Sequence, residues 1–117
     1  MQPMQMESEQ IDGVLVATPQ EERLDASVAG AFKNFMVDVL NQGHQRVVLN
    51  LEDVQFIDSS GLSAIVSALK SFSLAGGEMV VCGINKNVAA LFKLTRLDHI
   101  FQVFTNKNEA CQMLLSQ

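Results

Sequence analysis

The sequence predicts an α/β domain with a mixed sheet of four to five strands and about four helices. Three observations predict it. Residues 47–51 and 78–84 are near-continuous apolar runs of strand length. Each is followed by a segment of helical periodicity, as parallel strands with crossover connections require. Asp12-Gly13 lies between two extended runs near the start of the chain, a hairpin signal that adds one antiparallel pair. Finally, 117 residues at 48% hydrophobic content suit one domain that builds its core without staples, and argue against disorder.

Taken in order, residues 5–17 read as two short strands around the Asp12-Gly13 turn, with 14–17 the clearer of the two. Residues 18–23 read as a polar loop, with Pro19 stopping the strand. Leu24-Asp25-Ala26-Ser27 leads into a first helix, and Asp25 and Ser27 are both suitable caps. Val28, Phe32, Phe35 and Val39 line one face of it, with Ala31, Met36 and Leu40 beside them. Gly43 stands just past its last turn.

The 47–51 strand gives way to an acidic corner, Glu52-Asp53-Val54-Gln55-Phe56-Ile57. Asp58-Ser59-Ser60-Gly61 then opens a second helix with apolar residues at Leu62, Ile65, Val66, Leu69 and Phe72. That helix ends near Gly76-Gly77. A strand follows at 78–84. Residues 85–87 turn into a third helix with Val88, Leu91, Phe92 and Thr95 on one face. Residues 100–104 read as a last strand. Thr105 and Asn106 open a C-terminal helix carrying Ala110, Met113 and Leu114. There is no internal repeat or linker.

The formal net charge of -5 argues against a nucleic-acid or anionic-membrane binder, either of which needs a basic face. No apolar run reaches the length of a membrane span. Residues 1–10 lack the basic and apolar regions of a signal peptide. The two cysteines, Cys82 and Cys111, form no C-x-x-C pair. A cytoplasmic protein with both thiols reduced is expected.

Enzyme signatures are missing. There is no G-x-S-x-G elbow and no glycine-rich phosphate loop. His44 and His99 sit in separate polar loops. Glu52, Asp53 and Asp58 read as a solvated acidic corner rather than a Mg²⁺ site. No metal, cofactor or catalytic residue is expected.

What remains is Asp58-Ser59-Ser60-Gly61. It sits where a strand-derived loop hands over to a helix, beside the positive end of the helix dipole. The plain role for a serine here is the N-cap, worth about 1 kcal/mol. One serine suffices for that. Ser60 is nearest the helix start, which leaves the Ser59 hydroxyl exposed on a corner another protein can reach.

The run Val-Val-Leu-Asn-Leu-Glu-Asp-Val-Gln-Phe-Ile-Asp-Ser-Ser-Gly-Leu at 47–62 closely resembles the STAS-domain anti-sigma factor antagonists of bacteria. Residues 76–82 and 88–97 look like the same family's next strand and helix. The resemblance covers essentially the whole chain, 1–117. It implies a module that, unphosphorylated, binds an anti-sigma factor and thereby releases a sigma factor. It implies that this anti-sigma factor is also a serine kinase, which supplies the ATP and phosphorylates Ser59, and that a serine phosphatase reverses the change. Asp58, Ser60 and Gly61 then belong to the recognised corner. Asp25 is placed beside the phosphorylation site by a Gly-x-Leu-Asp pattern, of which Arg23-Leu24-Asp25 matches the last three positions. Glu22 replaces the family glycine, a departure that bears on the loop's conformation and the partner's identity. The same domain also serves as a subunit of ABC-type lipid transporters and as the tail of anion transporters, and a relative can switch a regulator other than a sigma factor. An intact Asp-Ser-Ser-Gly favours the switch.

Overall fold

The computed structural model describes residues 4–116. The readings of residues 1–10 as no leader and of 1–117 as one domain therefore extend past the described residues. The chain opens with β1 (Met6–Ile11) and β2 (Val14–Pro19), which pair antiparallel. Asp12 and Gly13 both take positive φ, 52° and 86°, the backbone of a two-residue hairpin turn. β2 runs through Pro19, one residue past Thr18, and every residue in it is buried. Pro19 thus closes the strand as its last residue.

A two-residue strand, β3 (Arg23–Leu24), precedes α1 (Ala26–Asn41). Next come β4 (Arg46–Asn50), a second two-residue strand β5 (Phe56–Ile57), and α2 (Ser59–Leu74). β6 (Glu78–Cys82) leads to α3 (Lys86–Leu94), a single 3₁₀ turn at Leu97–His99, β7 (Val103–Phe104) and α4 (Lys107–Leu115). The main sheet has the order β1-β2-β4-β6-β7. Beyond the first hairpin its pairings are parallel. The expected class, a mixed α/β sheet of four to five strands with about four helices, is what the chain forms, with five strands in that sheet and four α-helices among the described residues. β3 and β5 make a separate parallel pair.

Strand alternation divides the core in two. Leu15, Val47, Leu49, Met79 and Val81 face the cluster built with Phe32 and Met36 of α1, Ile65 and Phe72 of α2, and Phe92 of α3. Val14, Val16, Val48, Val80 and Cys82 face the opposite way, against Ala110, Cys111 and Leu114 of α4. β2, β4 and β6 are apolar on both faces because helices cover both.

Two expectations need correction. Ile100 does not join the last strand: it is 59% exposed. Arg96 adopts the left-handed conformation at φ 60°, and the 3₁₀ turn after it directs Phe101 into the core. There Phe101 stacks on Phe92 with ring centroids 5.7 Å apart. The strand therefore begins only at Val103. On α4, Met113 is 42% exposed and Cys111 is buried in its place, so the inward face is rotated toward residue 111.

Candidate functional site

The corner is built by backbone pairing before any side chain is considered. β3 lies parallel to β5 with Arg23 opposite Phe56 and Leu24 opposite Ile57. The amides of Gln55 and Phe56 donate to the Glu22 carbonyl at 2.7 and 3.1 Å, and the Asp58 amide donates to Leu24 O at 3.1 Å. The residues that follow in register are Asp25 and Asp58. Each is the N-cap of its helix, in extended conformation. Two helix N-termini therefore start side by side, and their dipoles make this end of the molecule the electropositive end of the backbone.

Asp58 holds the two together. Its Oδ1 accepts from the Gly61 amide at 2.9 Å and its Oδ2 from the Ala26 amide, at the start of α1, at 3.2 Å. This corrects the expectation that Ser60 caps the second helix. The carboxylate of Asp58 does so, and the helix begins at Ser59. Ser59 is exposed and Ser60 half-buried.

Gly61 is buried, and no other residue fits there. A Cβ would lie 2.1 Å from the Leu24 carbonyl oxygen and 2.8 Å from its carbon. This close approach seats the first turn of α2 against β3.

Of the two caps proposed for the first helix, Asp25 takes the role. Its Oδ1 accepts from the Ser27 amide at 3.0 Å and from the Ser27 hydroxyl. The Ser27 hydroxyl, its amide and, more weakly, Arg23 hold the Asp25 carboxyl below the usual aspartate range. The five residues expected at the site, Asp25, Asp58, Ser59, Ser60 and Gly61, are thus brought to one corner. Sequence reasoning missed Leu24, whose carbonyl meets both Asp58 and Gly61, and Ala26. Both contribute backbone atoms, which no side-chain motif announces. It also missed Arg23, whose guanidinium lies 4.9 Å from the centroid of the half-exposed Phe56 ring.

Glu52 and Asp53 are exposed beside this corner. Among the described residues no group of three His, Cys, Asp or Glu side chains is placed to hold a metal. No helix among them is long and apolar enough to cross a membrane. Cys82 and Cys111 are free thiols, both buried. Burial, with Glu52 and Cys111 contributing, pushes the Cys82 thiol up to about 12.

A helix-backed mixed sheet with two capped helix starts braced at an exposed serine defines the molecule as a small α/β module of the STAS type. The STAS domain model matches residues 5–110, and the chain belongs to the STAS-domain family. It is 32% identical over 108 residues to the anti-sigma F factor antagonist of Paenibacillus polymyxa, with 92% of each chain covered. The crystal structure of a Thermotoga maritima protein, provisionally named an anti-sigma factor antagonist, matches it with a TM-score of 0.87 at 34% identity over 92% of both chains. The Bacillus cell fate determinant SpoIIAA in its phosphorylated form matches with a TM-score of 0.71 at 18% identity, over 95% of this chain and 98% of that one. That last likeness is one of fold alone. Proteins named anti-sigma factor antagonists are this chain's relatives.

Proposed function

We propose that this chain is an anti-anti-sigma factor, a cytoplasmic partner switch without enzymatic activity of its own. Unphosphorylated, it docks on an anti-sigma factor that is also a serine kinase, and the sigma factor is released. Phosphorylation of Ser59 by that kinase ends the complex, and a phosphatase restores it. The kinase brings the ATP, so this chain needs no cofactor. The observation that carries the reading is the place of Ser59: an exposed hydroxyl at the first position of α2, with capping already done by Asp58. Its kinship with anti-sigma factor antagonists at 32% identity supports the same conclusion.

The physics suits a switch that works without refolding. A substrate of this kind has only to offer a hydroxyl on a firm corner, since the kinase supplies the catalytic groups. A phosphate adds about -1.5 to -2 charges at pH 7. Within the free protein it sits in water at a helix N-terminus, which tolerates anions. Against a docked partner the same group adds bulk and a charge that loses its water.

The test uses the ATP-binding kinase recovered from the protein's own cells. Incubation with ATP should place phosphate on Ser59, mapped by mass spectrometry, and should dissociate the complex. Modification chiefly at Ser60, Ser63 or Thr95 would overturn the assignment.

A further inference from the structure

We infer that the partner grips a second feature, the open groove between β5 and α3, and that it does so with an apolar anchor flanked by basic side chains. The groove, of about 220 Å³, is lined by Gln55, Phe56, Ile57, Asn87, Val88 and Leu91. It begins two residues before Ser59, within about 7 Å of chain, so a protein seated on the corner overhangs it. Its floor is apolar. Val88 is buried, Ile57 and Leu91 are half-buried, and Phe56 keeps 45% of its surface in water. Phe56 is not a loose aromatic. The Arg23 guanidinium lies over its ring, and its amide is tied to Glu22 O. Asn85 fixes the neighbouring backbone by donating to the carbonyls of Val54 and Gln55 at 3.4 and 3.3 Å. A phenylalanine and an arginine held in place beside a groove are residue types enriched in the cores of protein interfaces.

The charges around it select the occupant. Glu22, Glu52, Asp53 and Asp58 are exposed along the segments that frame the groove and the corner, against Arg23 and Lys86. The four carboxylates outnumber the two cations, so the field at the rim is acidic. A basic partner surface is drawn to it, and a second copy of this chain, at net charge -5, is repelled.

This inference rests on the switch reading, and one set of titrations separates the two. The probe is the serine kinase that phosphorylates Ser59, titrated with Ser59→Ala protein so that no phosphate accumulates. Adding Phe56→Ala to this background should weaken binding about tenfold or more while the melting curve is retained, because the side chain is half exposed. Adding Asp53→Lys should weaken it further and flatten its dependence on salt. Leu94→Ala, at a side chain 82% exposed on the same helix but outside the groove, should change nothing. Unchanged affinity in Phe56→Ala, or tighter binding in Asp53→Lys, overturns the groove and leaves the switch standing. A concentration-dependent dimer that Phe56→Ala abolishes overturns it too, by giving the groove to a second copy. If no kinase modifies Ser59, both readings fall together.

Discussion

Asp58 divides its two carboxylate oxygens between two helices, and that makes its removal costlier than the loss of an ordinary cap. Asp58→Ala should destabilise the protein by about 1–3 kcal/mol, a cap plus a second charge-assisted bond. Asp25→Ala loses bonds within its own helix start only, so its melting temperature should fall less. Its phosphorylation by the kinase should nonetheless slow, which a time course compares directly. Ser27→Ala offers a check on the same corner. The Ser27 hydroxyl stabilises the Asp25 carboxylate, so its removal should raise the Asp25 titration midpoint, followed by NMR. That carboxyl is more acidic folded than unfolded. Its contribution to stability is therefore present above the unfolded value and is lost as pH falls through the folded one. At Ser59, aspartate and alanine should pull apart. Ser59→Ala should bind the kinase as the unmodified protein does. Ser59→Asp places an unpaired charge in the docked corner, and a penalty of about 3 kcal/mol means about a hundredfold weaker binding. Equal affinities for two folded variants would show that charge at this position is not the switch. The identity of these residues was legible in the sequence, because Asp-Ser-Ser-Gly before an apolar-periodic helix is a local signal. The division of labour was not. Whether Ser60 or Asp58 caps depends on where α2 begins, and that is set by β3, far away in sequence.

The first turn of α2 depends on a tight seat, and its weak point is Gly61. Gly61→Ala drives a methyl group into the Leu24 backbone. Backbone cannot swing aside as a side chain does, so α2 must retreat from β3. We expect a loss of about 1–3 kcal/mol, the range for overpacking, with a disproportionate loss of kinase binding because Asp58 and Ser59 move with the helix. Thermal melts and affinity measured on the same preparation separate the two effects. At this scale the long periodic elements could be read without a structure: α1 buries Val28, Phe32 and Val39 as spaced, and the 47–51 run supplies the central β4. The two-residue strands could not. Neither β3 nor β5 is long enough to show alternation, and each exists only because the other pairs with it. The rotated face of α4 was missed for a related reason. Ala110, Cys111, Met113 and Leu114 are all apolar, and which three turn inward is decided by the sheet beneath.

The whole molecule leans on one helix for one of its two faces. Residues from α1, α2 and α3 share the first core cluster, but among the described residues α4 alone covers Val14, Val16, Val48 and Val80. Leu114 by itself contributes about 1.5–3 kcal/mol of burial, against a total stability of about 5–15 kcal/mol for a domain. A chain ending at residue 105 should therefore fail to melt cooperatively and should bind a hydrophobic dye. The thiols report on the same face. Cys82 lies beneath α4 and Cys111 on its buried face, and both should resist iodoacetamide in the native protein, reacting only as that face opens. Both should label rapidly in urea. With the Cys82 thiol at about 12 in the fold, the stability carried by its neutral form is intact below the unfolded value near 8.5. It is lost progressively as pH climbs from there toward 12, which alkaline melts can follow.

The order of the sheet has a consequence for synthesis. Apart from the short β3–β5 pair, each strand lies beside the one made before it, β1-β2-β4-β6-β7, so a chain leaving the ribosome can lay down its sheet one strand at a time. Each of α1, α2 and α3 arrives in time to roof the strands just added. The other side has no such sequence of arrivals. Its roof is α4, which follows every strand of the sheet. Until residues 107–115 leave the ribosome, the apolar sheet face they cover stands open to water. Chains tethered to the ribosome by a linker, with residues up to 106 outside the tunnel, should be held by chaperones that chains displaying α4 escape, and the corner bearing Ser59 should already be formed on them.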